Sequence, residues 1–202
     1  MKKIVMVSLA VLFLMVAPVE SRAQALSQAD RDRAIKYLET TRDNILEATK
    51  GLSEAQWNYK PTVFRWSVAQ CVEHIAASED LLRGILEQQV LKAPAAPDRD
   101  VKAVDERVLA VIPDRSFKVQ APPPLRPTNR YSSPDAALKQ FVESRAKTLE
   151  LLKNTPDLRA HAIDNPIFKK LDGYEWVLFI AAHSERHTKQ LNEVKADAKF
   201  PK

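Results

Sequence analysis

The sequence contains little cysteine and little glycine, and these shortages exclude several classes of protein. Its 202 residues include one cysteine and three glycines beside thirteen prolines. The single Cys71 rules out a disulfide framework within the chain and any CxxC metal or redox motif. Three glycines are too few for a protein built on phosphate-binding loops, and no GxGxxG or GxxxxGKS/T pattern occurs. The chemistry of this protein must therefore come from other side chains.

The overall composition is that of a folded, mildly basic domain. Hydrophobic residues make up 45% of the chain, charged residues make up 28%, and the formal net charge is +5. A length of about 200 residues fits one domain with a sizeable core. Acidic and basic residues alternate, as in Asp30-Arg31-Asp32-Arg33, which is typical of a solvated helix face. We therefore expect no nucleic-acid partner.

The first 25 residues have the pattern of a secretory signal peptide. A basic start precedes an apolar run over residues 4–17, and Ala23-Gln24-Ala25 supplies the small residues that signal peptidase recognises. The run is shorter than the roughly 20 residues of a membrane span. The sequence predicts a signal over 1–25 and a periplasmic or secreted domain over 26–202, with no membrane association after cleavage. An uncleaved N-terminal anchor is the alternative.

Four stretches of the mature chain combine helical periodicity with helix-start signals. The predicted N-caps are Ser27, Ser67, Ser133 and Asp172. The first, second and fourth helices are predicted to end near Gly51, Gln89 and Lys195. Each helix carries one apolar stripe, which it can bury only against the others. The predicted fold is an all-α four-helix bundle.

The connection between the second and third helices differs from the rest of the chain. Seven prolines fall between Pro94 and Pro127. This stretch should therefore be extended, with one short helical turn over Val104 to Ile112. Such a long, proline-rich crossover can traverse the bundle, which allows the second and third helices to run parallel.

Two histidines share the inner face of the fourth helix at a spacing that suits a metal ion. His183 and His187 are four residues apart, a rise of about 6 Å, so both imidazoles can reach one ion from consecutive turns. The pattern is not the HExxH of zinc peptidases, because Glu185 projects from a different face. His74, on the second helix, is the candidate third ligand. Three neutral imidazoles leave a fourth position for water or substrate, as in catalytic zinc sites.

The alternative is that these histidines are hydrogen-bonded core residues without a metal. His161 lies in a stretch bounded by proline and aspartate, and we expect it to be exposed and not a ligand. Cys71, on an apolar stripe, is predicted to be a small buried hydrophobic residue. Trp66 and Trp176 are predicted to anchor the core.

Two motifs resemble those of the DinB/YfiT-like superfamily. One is Trp66-Ser67 followed after six residues by His74-Ile75, and the other is Glu175-Trp176 with the run His183-Ser184-Glu185-Arg186-His187. The likeness covers nearly all of residues 27–195. It implies a bundle of up-down-down-up type that holds a divalent metal ion. Carried over by position, the metal ligands are His74, His183 and His187.

The resemblance also implies a metal-dependent S-transferase or hydrolase that acts on a small molecule. We expect zinc or nickel as the cofactor, although imidazole suits several metals. Glu73, Glu79 and Glu185 are the acidic candidates for proton transfer or for orienting a ligand. The alternative is a non-enzymatic bundle that binds a metal or a small ligand. We expect a homodimer through exposed helix faces.

Overall fold

The computed structural model describes residues 25–97 and 99–202, so the predicted signal segment lies outside the described residues except for Ala25. The helices in chain order are α1 (Gln28–Thr49), α2 (Glu54–Asn58), α3 (Val68–Gln88), α4 (Val101–Val111), α5 (Pro134–Asn154) and α6 (Gly173–Lys195). The four long helices, α1, α3, α5 and α6, begin at the predicted caps, each of which accepts a first-turn backbone N–H. Gly51, with φ of 68°, follows α1 as predicted for a helix stop.

Hydrogen bonds near the helix ends define the direction of each long helix. The bonds are Tyr174 to Asp30 and Lys195 to Ala48 between α6 and α1, Trp176 to Leu82 between α6 and α3, and Arg31 to Leu152 between α1 and α5. Accordingly, α6 runs parallel to α1, whereas α3 and α5 run in the opposite direction. The predicted four-helix bundle is confirmed, with up-down-down-up helix directions. Among the described residues, no helix is long and apolar enough to cross a bilayer.

Two elements between the long helices differ from the prediction, a β-hairpin and the helix α4. Strands β1 (Ala162–Asn165) and β2 (Lys169–Asp172) form an antiparallel hairpin before α6. Strands of four residues are too short to give a clear alternating pattern. The second difference is α4, which is 11 residues long rather than a single turn. It is capped by Asp100, whose side chain accepts the Ala103 N–H, and Pro113 follows its end.

One buried guanidinium joins all four long helices. Arg145 of α5 is completely buried and donates to both carboxylate oxygens of Glu79 on α3, at 2.7 and 2.8 Å. It also donates to the Leu38 carbonyl and the Thr41 hydroxyl on α1, at 2.6 and 2.9 Å. A fifth bond, of 2.8 Å, reaches the Ser184 hydroxyl on α6. Each nitrogen of the buried Arg145 guanidinium therefore has hydrogen-bond partners, which is the condition under which a buried ion pair is tolerated.

A second buried network attaches α4 to the start of α6. Arg159 donates to both carboxylate oxygens of Asp105 on α4 and to Asp172, the N-cap of α6. Arg99 donates to Asp172 and to Glu175. Three carboxyl groups thus share two guanidinium groups. Burial and the neighbouring Asp172 carboxylate raise the pKa of Glu175 to about 7.

The Arg145 network predicts a large loss of stability when one partner is removed. The variant Arg145→Met leaves the Glu79 carboxylate buried and unpaired, so the free energy of unfolding should fall by about 3–5 kcal/mol. The double variant Arg145→Met/Glu79→Met should recover much of this loss. Urea unfolding measures both, with the exposed Arg33→Met as control. A single variant as stable as the double variant would contradict the role of the pair.

The raised pKa of Glu175 predicts a specific pH dependence. Above its ordinary pKa of 4.5, the unfolded chain releases the proton that the folded protein keeps until about pH 7. The folded state therefore loses stability from this group as the pH rises through that range. Glu175→Gln removes the titration and keeps an acceptor for the Asp172 N–H. Between pH 4.5 and about 7, the free energy of unfolding should fall less in the variant than in the parent, as measured by chemical unfolding. An equal fall in both proteins would contradict the raised pKa of Glu175.

Candidate metal centre

The three predicted ligands come together between α3 and α6. The Nε2 atom of His74 lies 3.3 Å from Nε2 of His183 and 3.1 Å from Nε2 of His187. The two histidines of α6 lie on consecutive turns, and His74 approaches them from the antiparallel α3. Among the described residues, no further histidine, cysteine or acidic side chain joins this group. The cluster therefore offers three imidazole nitrogens to one point.

Hydrogen bonds determine which nitrogen of two rings faces that point. His74 Nδ1 lies 2.8 Å from the Leu125 carbonyl oxygen, which can only accept, so Nδ1 carries the hydrogen. His187 Nδ1 lies 2.8 Å from Oε1 of Gln190, which also accepts from Arg115 at 3.4 Å. A guanidinium can only donate, so this amide atom is the oxygen and His187 Nδ1 is also a donor. Both Nε2 atoms therefore present lone pairs to the centre.

This arrangement fits a divalent cation. The Nε2 atoms of His74 and His187 lie 3.1 Å apart, and their lone pairs repel each other unless a positive charge lies between them. Zinc–nitrogen bonds of about 2.0–2.1 Å in a tetrahedral site place the nitrogens roughly 3.3–3.4 Å apart. Burial lowers the pKa of His74 and lowers the pKa values of His183 and His187 well below the ordinary value. The rings are therefore held neutral, as metal ligands must be.

Aromatic side chains pack on both sides of the three histidines. The centroid of Trp66 lies 4.9 Å from that of His74, so Trp66 contacts the site itself as well as anchoring the neighbouring core. Phe179 stacks on His183 at 6.4 Å, and Trp176 stacks on Phe179 at 5.6 Å. The predicted core position of Trp176 is confirmed by its burial. These rings give the centre a largely apolar surrounding.

None of the three acidic candidates bonds to the histidines, because each carboxylate has other partners. Glu73 accepts from the backbone of residues 128–130 and from the Arg130 side chain. Glu79 accepts from Arg145 and Thr148. Glu185 accepts from Tyr37 and forms an ion pair with Lys189. Burial acts to raise the pKa of Glu73, but its hydrogen bonds outweigh burial and lower that pKa. The candidates are therefore structural anchors in this conformation.

The other two sequence candidates lie away from the centre. His161 is not exposed as predicted but half-buried, because its Nδ1 bonds the Ala93 carbonyl and its backbone pairs with Ala95. Cys71 is fully buried, as predicted, and burial raises the pKa of its thiol to about 12. Neither residue joins the histidine cluster.

The two groups that orient the His74 and His187 rings were not predicted from the sequence. Gln190 follows His187 by three residues, so the helical spacing could have indicated a contact between the two side chains. Leu125 contributes only its carbonyl, and no side-chain pattern specifies a backbone acceptor 51 residues from its partner. The contact of the Leu125 carbonyl with His74 could therefore be found only in the three-dimensional structure.

Comparisons with known proteins agree with the fold. Residues 37–191, most of the chain, match the DinB superfamily. The uncharacterized protein YuaE of Bacillus subtilis (strain 168) is 27% identical over 147 residues, which cover 72% of this chain and 87% of YuaE. The solved structure of YfiT from Bacillus subtilis is described as a probable metal-dependent hydrolase with an unusual four-helix bundle topology. It matches with a TM-score of 0.54 and 18% identity, over 85% of this chain and 89% of YfiT. This chain belongs to the DinB superfamily.

Proposed function

We propose that this protein is an exported hydrolase that depends on a divalent metal ion bound by His74, His183 and His187. The observation that supports it best is the convergence of three neutral imidazoles without a fourth protein ligand among the described residues. Structural zinc sites are closed by four protein ligands, whereas catalytic sites keep one position for water or substrate. Zinc and nickel both suit such a set of nitrogen ligands.

The chain contributes orientation and a low-dielectric surrounding to this chemistry. A bound divalent ion supplies Lewis acidity, which lowers the pKa of a coordinated water and polarises a substrate oxygen. The three ligands carry no charge, so they leave the positive charge of the centre undiminished. The Leu125 carbonyl and the Gln190 amide hold two of the rings in the tautomer that exposes Nε2. The Trp66 ring packs against His74, with their centroids 4.9 Å apart.

Thiol transfer, the other reaction class that the resemblance implies, has less support. The only cysteine, Cys71, is buried, and with a pKa of about 12 it stays a thiol near neutral pH. An exported protein would also be separated from the small thiols that act mainly in the cytosol. Export is inferred from the signal-peptide pattern of residues 1–25. Water is therefore the nucleophile that we propose.

Metal content is the direct test of the ligand set. The mature protein, purified without a histidine tag, should hold about one equivalent of zinc or nickel because the three nitrogens are already oriented. His183→Ala should hold little metal, since two imidazoles remain. His161→Ala is the matched control and should keep the content of the parent. Elemental analysis provides the measurement, and a parent without metal that gains no stability from added zinc or nickel would overturn the proposal.

Hydrolysis of simple model substrates tests the reaction class. The metal-loaded parent should hydrolyse para-nitrophenyl acetate or a para-nitrophenyl phosphodiester without added thiol. Activity should fall to the buffer background in His183→Ala, because the coordinated water is lost. Cys71→Ser should keep the rate of the parent. Turnover that requires an added thiol would favour transfer instead, and turnover that survives His183→Ala would exclude a metal mechanism.

A further inference from the structure

The segment between α4 and α5 is attached to the helices that carry the metal ligands. Arg186 of α6 donates to the backbone carbonyls of Ile112, Asp114 and Phe117. Further along, the Leu125 carbonyl accepts from the His74 ring. This proline-rich segment therefore provides a direct contact to one ligand. Its position relative to α3 must be maintained for that contact to form.

Glu73, which precedes His74 on α3, binds the end of this segment. Its carboxylate accepts the consecutive backbone N–H groups of Thr128, Asn129 and Arg130, at 2.7, 3.0 and 3.2 Å. Asn129 has a φ of 61°, and such a left-handed residue lets successive N–H groups converge on one anion. The Glu73 side chain is 7% exposed, so these bonds are well shielded from water.

Arg130 extends the anchor to the residues on either side of Leu125. Its Nε donates to Glu73 at 3.1 Å, while its terminal nitrogen donates to the Pro124 and Arg126 carbonyls at 3.1 and 2.7 Å. The carbonyls before and after Leu125 are thus both fixed by a guanidinium that Glu73 holds. Adjacent residues of α3 therefore bind the segment at two points, through a carboxylate and through an imidazole.

We propose that Glu73 is a positioning residue for the metal centre. It fixes the turn at residues 128–130 and, through Arg130, the Leu125 carbonyl that keeps the hydrogen of His74 on Nδ1. Without this anchor, the His74 ring loses the acceptor that selects its tautomer and orientation. The inference rests on the proposed function, because it assigns Glu73 a role in binding the metal ion.

The test compares zinc affinity in four forms of the full mature protein. Glu73→Gln has the same size but lacks one of the two acceptor oxygens. Arg130→Gln keeps the carboxylate and removes only the guanidinium bonds. Asp105→Asn is the matched control. The Asp105 side chain is also 7% exposed, and its ion pair with Arg159 holds α4, the earlier part of the chain between α3 and α5. Partners that orient ligands contribute about 10–100-fold to metal affinity, and an indirect anchor should lie near tenfold.

The expected result is a zinc dissociation constant about tenfold higher in Glu73→Gln, a smaller increase in Arg130→Gln and no change in Asp105→Asn. Cobalt, loaded in place of zinc, should give an altered visible absorption spectrum in Glu73→Gln, because the position of one ligand changes. A general loss of stability would not alter that spectrum. If Glu73→Gln fails to fold, Arg130→Gln decides the question by the same two measurements.

Parent-like affinity and spectrum in both variants would overturn the inference while leaving the metal site intact. An equal loss of affinity in Asp105→Asn would also overturn it, because any anchor of the connection would then have the same effect. A parent that binds neither zinc nor cobalt would overturn the proposed function, and this inference with it. The two failures are therefore distinguishable in the same titration.

Trypsin cleavage gives a second readout, because coupling between two sites is reciprocal. Lys118 lies in the exposed part of the same segment. If Glu73 connects the segment to the ligands, zinc should slow cleavage after Lys118 in the parent and slow it less in Glu73→Gln. Equal protection by zinc in both proteins would contradict the connection.

Discussion

The register of the bundle depends on the buried guanidinium of Arg145. A buried positive charge is tolerated only when it is paired and its donors are satisfied, and this one finds its partners on α1, α3 and α6. A slide of any helix by one turn, about 5.4 Å, would break at least one of these bonds. Apolar stripes alone would permit several registers of similar energy. The ion pair of Arg145 and Glu79 therefore selects one arrangement among those that hydrophobic burial allows.

The same network determines where the three clustered histidines meet. Ser184, which accepts from Arg145, follows His183 directly on α6. Glu79 lies five residues after His74 on α3, so both ligand-bearing helices are tied to one point within two turns of the histidines. A ligand set must hold its geometry to within about 0.5 Å to be effective. Side chains on two antiparallel helices reach that precision only if the helices cannot slide, which the shared guanidinium ensures.

Local signals allowed much of this structure to be predicted from the sequence. The four caps follow from single residues and their immediate neighbours, and the pair His183 and His187 follows from helical spacing. The distant contacts could not be predicted in the same way. Glu73 resembles a catalytic acid in the sequence because it adjoins a ligand, yet its partners lie more than 50 residues away and are mainly backbone groups. The hairpin before α6 was missed because its strands are too short for a periodic pattern.

The topology of the bundle and the orientation of the His74 ring are physically linked. Because α3 and α5 run parallel, the chain must return along the whole of a 21-residue helix, roughly 32 Å, before α5 begins. If α3 and α5 were antiparallel, a short turn could join them, and the connection would not have to pass His74. The long connection provides the Leu125 carbonyl at that place, at the end of a 3-10 turn formed by Pro123–Leu125. The helix order that requires this long connection therefore also places the carbonyl that accepts from His74 Nδ1.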